Sequence, residues 1–174
     1  ANRFVTDGVV DGWVIPDQPY TLFSQGRYNQ TPLLVGYNAD EGTTLGALYR
    51  VPENDDVYIA QANNQYGDLA GEFLDIYPSS DLRGSTISSS RDRSFGWNMV
   101  TWAKMAERQG DNAYLYFFTY APPNGLSQGL GAYHTGEIAY AFNNPQAHDN
   151  EALREVDENV AQTISDYWVQ FAKT

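Results

Sequence analysis

The sequence predicts an α/β protein organised around parallel strands. Two short runs are apolar almost throughout, PLLVGY at residues 32–37 and YLYFFT at residues 114–119. Continuous rather than alternating apolarity is typical of strands that are covered on both faces, as in a parallel sheet. Helical patterns fill most of the chain between and after these runs, so we expect a few sheet strands and about five helices.

Composition limits the classes of function open to the chain. Its 174 residues, 42% of them hydrophobic, are enough for a packed core rather than a disordered segment. A net charge of -12 argues against binding to nucleic acid or to an anionic membrane, since both require cationic patches. No apolar run approaches the roughly 20 residues that span a bilayer. Cysteine is absent, which excludes disulfides, thiolate metal sites and a cysteine nucleophile.

Residues 1–42 are predicted to form turns, a short helix, a strand and a loop, in this order. Prolines exclude regular helix from the turn-rich residues 1–19, and a short helix is expected over residues 20–27. The strand at residues 32–37 then ends in the polar loop NADEG at residues 38–42. This loop places acidic side chains directly after a buried strand.

The middle of the chain reads as mostly helical. Residues 56–77 predict two helices that are broken near Gly67. The serine-rich residues 79–90 predict a polar loop, and apolar residues at helical spacing predict a helix over residues 91–108 that Gly110 ends.

The second strand is followed by further helices. The sequence PPNG at residues 122–125 predicts a turn into a glycine-rich loop, and a short helix is expected over residues 138–142. Residues 151–172 carry an apolar stripe at three- and four-residue steps, which predicts a long amphipathic helix. We find no repeat and no internal boundary, so residues 1–174 are expected to form one continuous portion of a domain.

Two strands are a poor match for a self-contained sheet. A parallel strand that is buried on both faces needs neighbouring strands on both sides, and the sequence offers only two candidates. We therefore expect these strands to belong to a larger sheet whose other strands lie upstream.

An acid and a histidine occupy equivalent positions after the two strands. Glu41 follows the first strand, and His134 lies in the loop that follows the second. Ligands of open α/β sheets bind outside the carboxyl ends of the strands, so both side chains are expected at one edge. A carboxylate that hydrogen-bonds an imidazole fixes its tautomer and stabilises the imidazolium, which leaves the second ring nitrogen free to deprotonate a serine.

The order of these two residues is that of the α/β-hydrolase triad, in which the acid precedes the histidine. The serine is missing. No Gly-x-Ser-x-Gly elbow occurs in the chain, and the nearest glycine–serine pairs lack both the second glycine and a preceding strand.

Four segments resemble the type B carboxylesterases, the relatives of the cholinesterases and of the bacterial para-nitrobenzyl esterases. The segments are VDG at residues 10–12 with IP at 15–16, PLLVGYNADEG at 32–42, GAYHTGEI at 131–138 and YWVQFAKT at 167–174. The glutamate block and the histidine block together, in this order, make the resemblance specific.

The resemblance implies the C-terminal part of an α/β-hydrolase fold and a role for three residues. Glu41 matches the triad acid, His134 matches the triad base, and Glu137 matches a second acidic residue that supports the histidine. The nucleophilic serine and the glycine-rich oxyanion loop are then expected upstream of Ala1, and the family usually continues past Thr174.

The same resemblance implies a serine esterase with a small-molecule ester as substrate, no cofactor and no metal. Its other partner is the N-terminal part of the same enzyme, without which residues 1–174 are expected to be inactive. Cholinesterases carry disulfides in this region, so the absence of cysteine favours a bacterial-type member.

Other interpretations remain open at this stage. Family members of the adhesion type lose the serine while the acid and histidine persist. The high aromatic content and acidity would also suit a stand-alone carbohydrate-binding module, although such modules are mostly antiparallel. Glu137 alone is equally compatible with a salt bridge or a cap on a helix. His134 with Glu137 has too few neighbouring ligands for a metal site.

Overall fold

The computed structural model describes residues 8–121, 128–147 and 153–173. Within these ranges the chain forms two strands and seven α-helices. The strands are β1 (Leu33–Asn38) and β2 (Ala113–Phe118), and the helices are α1 (Pro19–Ser24), α2 (Asp55–Tyr66), α3 (Ala70–Ile76), α4 (Leu82–Arg91), α5 (Trp97–Arg108), α6 (Ile138–Ala141) and α7 (Glu155–Lys173). No helix in the described part of the chain combines the length and apolarity needed to cross a membrane.

The two predicted strands are confirmed, and they pair with each other in parallel. Leu33 lies opposite Ala113, and the register continues without interruption to Asn38 opposite Phe118. Gly36 is required for this pairing, because a Cβ atom there would lie 2.3 Å from the ring of Tyr116. The parallel arrangement disfavours the mostly antiparallel carbohydrate-binding module.

Helices cover part of this sheet. α5 packs against both strands, and α7 packs over a buried cluster formed by Phe118, Ala132, Tyr140 and Ala161. Aromatic rings of β2 meet those of α7, with the Tyr116 and Trp168 centroids 5.0 Å apart. The predicted amphipathic stripe of the last helix is confirmed in part: Val160 and Ile164 pack against the core, whereas Val156 and Tyr167 are exposed.

The strand β2 is less buried than its apolar sequence predicts. Leu115 and Phe117 each keep nearly half of their surface exposed, and only Phe118 is buried. Each strand has one paired edge and one open edge among the described residues. Burial on both faces is therefore wrong for β2 in this chain, and the larger sheet stays a prediction.

The predicted serine-rich loop at residues 79–90 is wrong, because most of it forms α4. The Asp81 carboxylate caps this helix by accepting the Gly84 amide proton at 2.9 Å. Thr86 and Ser89 donate their hydroxyls to carbonyls of the preceding turn, at Leu82 and Thr86, and Ser85 donates to the Pro78 carbonyl before the helix. Ser85 and Ile87 are buried, and α4 packs against the turn that follows β1.

Two further helix boundaries differ from the prediction. The single helix expected over residues 91–108 is divided, because a π-helical turn at Asp92–Gly96 separates α4 from α5. The last helix begins at Glu155 rather than at residue 151. The break at Gly67 between α2 and α3 is confirmed, and this glycine has a positive φ of 56°.

Some predicted features lie outside the described residues. These are residues 1–7 of the extended segment, the turn at residues 122–125 and the start of the last helix at residues 151–152.

Candidate active site

The parallel strands bring Glu41 and His134 together across 93 positions of sequence. Glu41 opens a 3-10 turn, Glu41–Thr43, directly after β1, and His134 follows the loop that leaves β2. The Nδ1 atom of His134 lies 2.6 Å from Oε2 of Glu41. Glu41 is only 4% exposed, whereas the His134 side chain is 39% exposed. A buried carboxylate thus faces a partly solvent-exposed imidazole.

Both oxygens of the Glu41 carboxylate are engaged. Oε2 contacts the imidazole, and Oε1 accepts the backbone amide proton of Asn38 at 2.8 Å. An ionised carboxylate is an acceptor only, so the proton in the 2.6 Å contact belongs to Nδ1. Within the described part of the chain His134 makes no other hydrogen bond. Its Nε2 atom is therefore free to accept a proton.

The segment before His134 is fastened to the exit of β1. The Asp40 amide donates to the Ala132 carbonyl at 3.0 Å, and the Asp40 carboxylate accepts the Ala132 amide at 2.8 Å. Thr43 adds a hydroxyl bond to the Leu130 carbonyl at 2.9 Å. Gly131 has a positive φ of 67°, and a Cβ atom there would collide with the Asp40 carboxylate. The position of His134 is thus set by the residues on either side of Glu41.

Glu137 lies behind the pair, and it accepts a hydrogen bond from Asn38 rather than from His134. The Asn38 side chain is 1% exposed, and its Nδ2 donates to Glu137 Oε2 and, at 2.8 Å, to the Tyr133 carbonyl. These two acceptors fix which end of the amide is nitrogen, and the Oδ1 atom is left without a partner among the described residues. Asn38 therefore links the acid, the second acid and the residue that precedes the histidine.

The phenol of Tyr116 completes this buried polar group. Burial raises the pKa of Tyr116 to about 12, and the nearby charges of Glu137 and Glu41 add to the effect. The phenol therefore keeps its proton over the whole physiological range and can donate it to the Glu137 carboxylate.

Three contributors to the site were missed by sequence reasoning. Asn38 was assigned to a polar loop and Tyr116 to a buried strand, although an asparagine that ends an apolar strand is a signal for a specific hydrogen-bonding role. Phe95 falls within the helix predicted over residues 91–108. It lies on the π-helical turn instead, with its ring centroid 5.4 Å from that of His134. No sequence pattern identifies a π-helical turn.

Glu137 is engaged by Asn38, and no group of three or more potential ligands occurs among the residues that the structure describes. The aromatic and carboxylate groups around His134 suit proton transfer instead.

Comparison with known proteins identifies the family. A sequence model described as the carboxylesterase family matches residues 2–174. The chain belongs to the carboxylesterase family. The resemblance noted in the glutamate and histidine blocks is thereby confirmed.

The relatives of this carboxylesterase-family chain include enzymes and a neuroligin. It is 28% identical to the para-nitrobenzyl esterase of Bacillus subtilis, with 95% of this chain and 34% of that protein covered. It is 24% identical to acetylcholinesterase of Electrophorus electricus, with 99% and 35% covered. Human neuroligin-2 is 24% identical, with 95% and 23% covered. The chain spans about a third or less of the length of these relatives.

A solved structure shows the same fold. A PNB esterase superimposes with a TM-score of 0.68 at 24% sequence identity, covering 95% of this chain and 34% of that one. The predicted fold class is confirmed: the chain forms part of an α/β-hydrolase fold.

Proposed function

We propose that this chain supplies the acid and the base of a serine carboxylesterase. The observation that carries the proposal is the 2.6 Å contact between His134 Nδ1 and the buried Glu41 carboxylate. Membership of the carboxylesterase family supports ester hydrolysis as the reaction. The nucleophilic serine and the oxyanion hole are assigned to sequence upstream of this chain.

The reaction proceeds through two acyl transfers. His134 Nε2 accepts the proton of the serine hydroxyl while the serine oxygen bonds to the ester carbonyl carbon. Glu41 stabilises the imidazolium that forms. His134 then returns this proton to the departing alcohol, and the acyl-enzyme remains. Water attacks the acyl-enzyme with His134 again as the base, which releases the carboxylic acid and restores the serine.

The burial of Glu41 favours this role over that of a surface ion pair. A carboxylate held by the Asn38 amide is already oriented before the imidazole becomes charged, so little reorganisation accompanies proton transfer. Asn38 holds the histidine segment through the Tyr133 carbonyl, and Glu137 holds Asn38 in turn.

The proposal is tested in the protein that carries this sequence together with its serine. We expect His134→Gln and Glu41→Gln each to lower kcat for a p-nitrophenyl ester by about a thousandfold or more, because the base or its tautomer is lost. Glu53→Gln is the matched control, since Glu53 is exposed and should leave kcat unchanged. Full activity in Glu41→Gln would contradict the role of Glu41.

Residues 1–174 alone are proposed to be inactive. The isolated chain holds the acid and the base but lacks the elbow serine, so neither hydrolysis nor labelling by a fluorophosphonate is expected. Fluorophosphonate-sensitive hydrolysis by the purified chain would overturn the assignment of the nucleophile.

A second candidate is a non-catalytic, adhesion-type member, which the match to neuroligin-2 favours. In that case the Glu41–His134 hydrogen bond would persist without a serine to activate. A downfield Nδ1 proton signal from His134, combined with no fluorophosphonate labelling of the full protein, would support this candidate. Labelling of an elbow serine would exclude it.

A further inference from the structure

Two adjoining cavities, of about 250 and 950 Å³, lie beside α4 and α5. They share five lining residues, so we treat them as one feature and call it the basic groove. The shared residues are Gln65, Tyr66, Phe73, Ser89 and Arg93. Glu41 and His134 are not among the described residues that line the groove.

The groove concentrates positive charge in an acidic chain. The whole sequence has 10 basic and 22 acidic residues. Four of the basic residues line the groove, namely Arg50, Arg91, Arg93 and Lys104, whereas Asp92 is the one acid among its described lining residues. The remaining surface must therefore be more acidic than the average, and an anion is favoured here over the rest of the molecule.

Only one of these cations is neutralised by a neighbour. Arg91 forms a bidentate pair with Asp92, at 2.7 and 2.9 Å. Arg50 donates only to the Gly46 carbonyl, and neither Arg93 nor Lys104 forms an ion pair within the described ranges. Among the described residues, no ion pair compensates the positive charge of these three side chains.

The groove also offers flat apolar surface next to these charges. The rings of Tyr66 and Phe73 stack with centroids 4.3 Å apart and an interplanar angle of 21°. Arg93 lines both cavities together with this ring pair. Trp97, at the wider cavity, is 61% exposed, which leaves a large indole surface available. A ligand at the junction would meet a guanidinium and an aromatic surface at the same time.

We propose that the basic groove binds a small organic anion with an aromatic body and a carboxylate head. The planar guanidinium of Arg93 matches a carboxylate bidentately, and Arg50 is placed to add a second charge in the smaller cavity. The ring pair and Trp97 provide the stacking surface for the body. This inference does not depend on the proposed esterase activity.

The test is calorimetric titration of the full protein that contains this chain with 2-naphthoate. We expect saturable binding that weakens at high salt, because the attraction is between charges that solvent can screen. The neutral analogue 2-naphthamide and inorganic phosphate should each bind at least about tenfold more weakly, since one lacks the charge and the other the aromatic body.

Variants locate the binding site. Arg93→Gln should weaken naphthoate binding about tenfold, and Arg50→Gln should do so to a smaller extent. Arg108→Gln is the matched control, because it removes the same charge from an exposed position of α5 outside the groove. Circular dichroism confirms that each variant is folded.

Three results would overturn the proposal. Equal affinity for naphthoate and naphthamide would show that the charge of the ligand does not contribute to binding. Phosphate that binds as tightly as naphthoate would show that the aromatic rings of the groove do not contribute. Equal affinity in Arg93→Gln, Arg50→Gln and Arg108→Gln would place the anion elsewhere.

Discussion

Asn38 shows how one buried side chain can hold several parts of the site. Its backbone amide fixes Glu41, and its side chain holds Glu137 and the Tyr133 carbonyl. The side chain is nearly fully buried, so each lost hydrogen bond leaves a polar group without water to replace it. The cost of removing this amide should therefore exceed that of an ordinary surface asparagine.

We predict that Asn38→Ala lowers the free energy of unfolding by about 2–4 kcal/mol, because a carboxylate and a carbonyl lose their donor. Urea unfolding of the two proteins measures the difference. Asn64→Ala is the matched control, since Asn64 is exposed on α2 and should cost less than about 0.5 kcal/mol. An equal loss of unfolding free energy in both variants would show that the Asn38 side chain stabilises the fold no more than a surface asparagine does.

Sequence reasoning was sufficient for some residues of the site and not for others. Glu41 and His134 were predictable as neighbours because the carboxyl ends of parallel strands share one edge of a sheet. Asn38 and Tyr116 were not, because their roles depend on which side chains meet behind the strands. That arrangement follows from the register of β1 against β2, which no local pattern specifies.

At the scale of elements, the start of α7 is fastened to the chain just after β2 by a group of three polar residues. Arg154 donates to the Asp157 carboxylate at 2.9 Å and to the Tyr120 hydroxyl at 2.7 Å. Tyr120 also donates to Asp157. The Arg154 hydrogen bonds lower the pKa of Asp157 to about 2, although burial opposes the shift. The charged form of Asp157 is therefore the one that stabilises the folded chain.

This group predicts a specific acid dependence of stability. Asp157 has a folded pKa below its ordinary value of 3.8, so its contribution is fully present above pH 4 and is lost as the pH falls towards 2. We expect Asp157→Asn to lower the free energy of unfolding by about 1–2 kcal/mol at pH 7. This is less than the pKa shift of Asp157 alone implies, because Arg154 is partly exposed to solvent. The difference from the parent chain should narrow as the pH falls from 4 towards 2.

Urea unfolding between pH 2 and pH 7 checks this dependence. Glu158→Gln lies one position further along the same helix on an exposed site and serves as the control. A gap between parent and Asp157→Asn that stays constant with pH would contradict the charged role of Asp157.

Helix prediction failed where polar side chains bond within their own helix. Serine-rich sequence usually favours loops because hydroxyls compete for the backbone. In α4 the hydroxyls bond to carbonyls of the preceding turn, and the Asp81 cap closes the first turn. The long stripe on α7 was predictable because its periodicity is set by burial against one surface.

At the scale of the whole molecule, the two-stranded sheet exposes apolar surface, and each strand has one edge without a partner among the described residues. Leu115 and Phe117 of β2 are nearly half exposed. Open strand edges and apolar faces are sites of association between chains. The isolated chain should therefore be prone to self-association.

We predict that residues 1–174, expressed alone, sediment as a concentration-dependent mixture, and that Leu115→Lys shifts the mixture towards monomer. A charge on the strand opposes pairing with a second copy. Leu69→Lys, at an exposed apolar residue outside the sheet, should have no such effect. Analytical ultracentrifugation distinguishes the two, and a monomeric parent chain that unfolds cooperatively would also contradict the larger-sheet hypothesis.

Ala132 is hydrogen-bonded to both the backbone amide and the carboxylate of Asp40, and this double contact has a consequence for sequence variation. The alignment of His134 with Glu41 therefore depends on the residues that follow β1, and substitutions at Asp40 should displace the imidazole more than equivalent changes at exposed positions of α7.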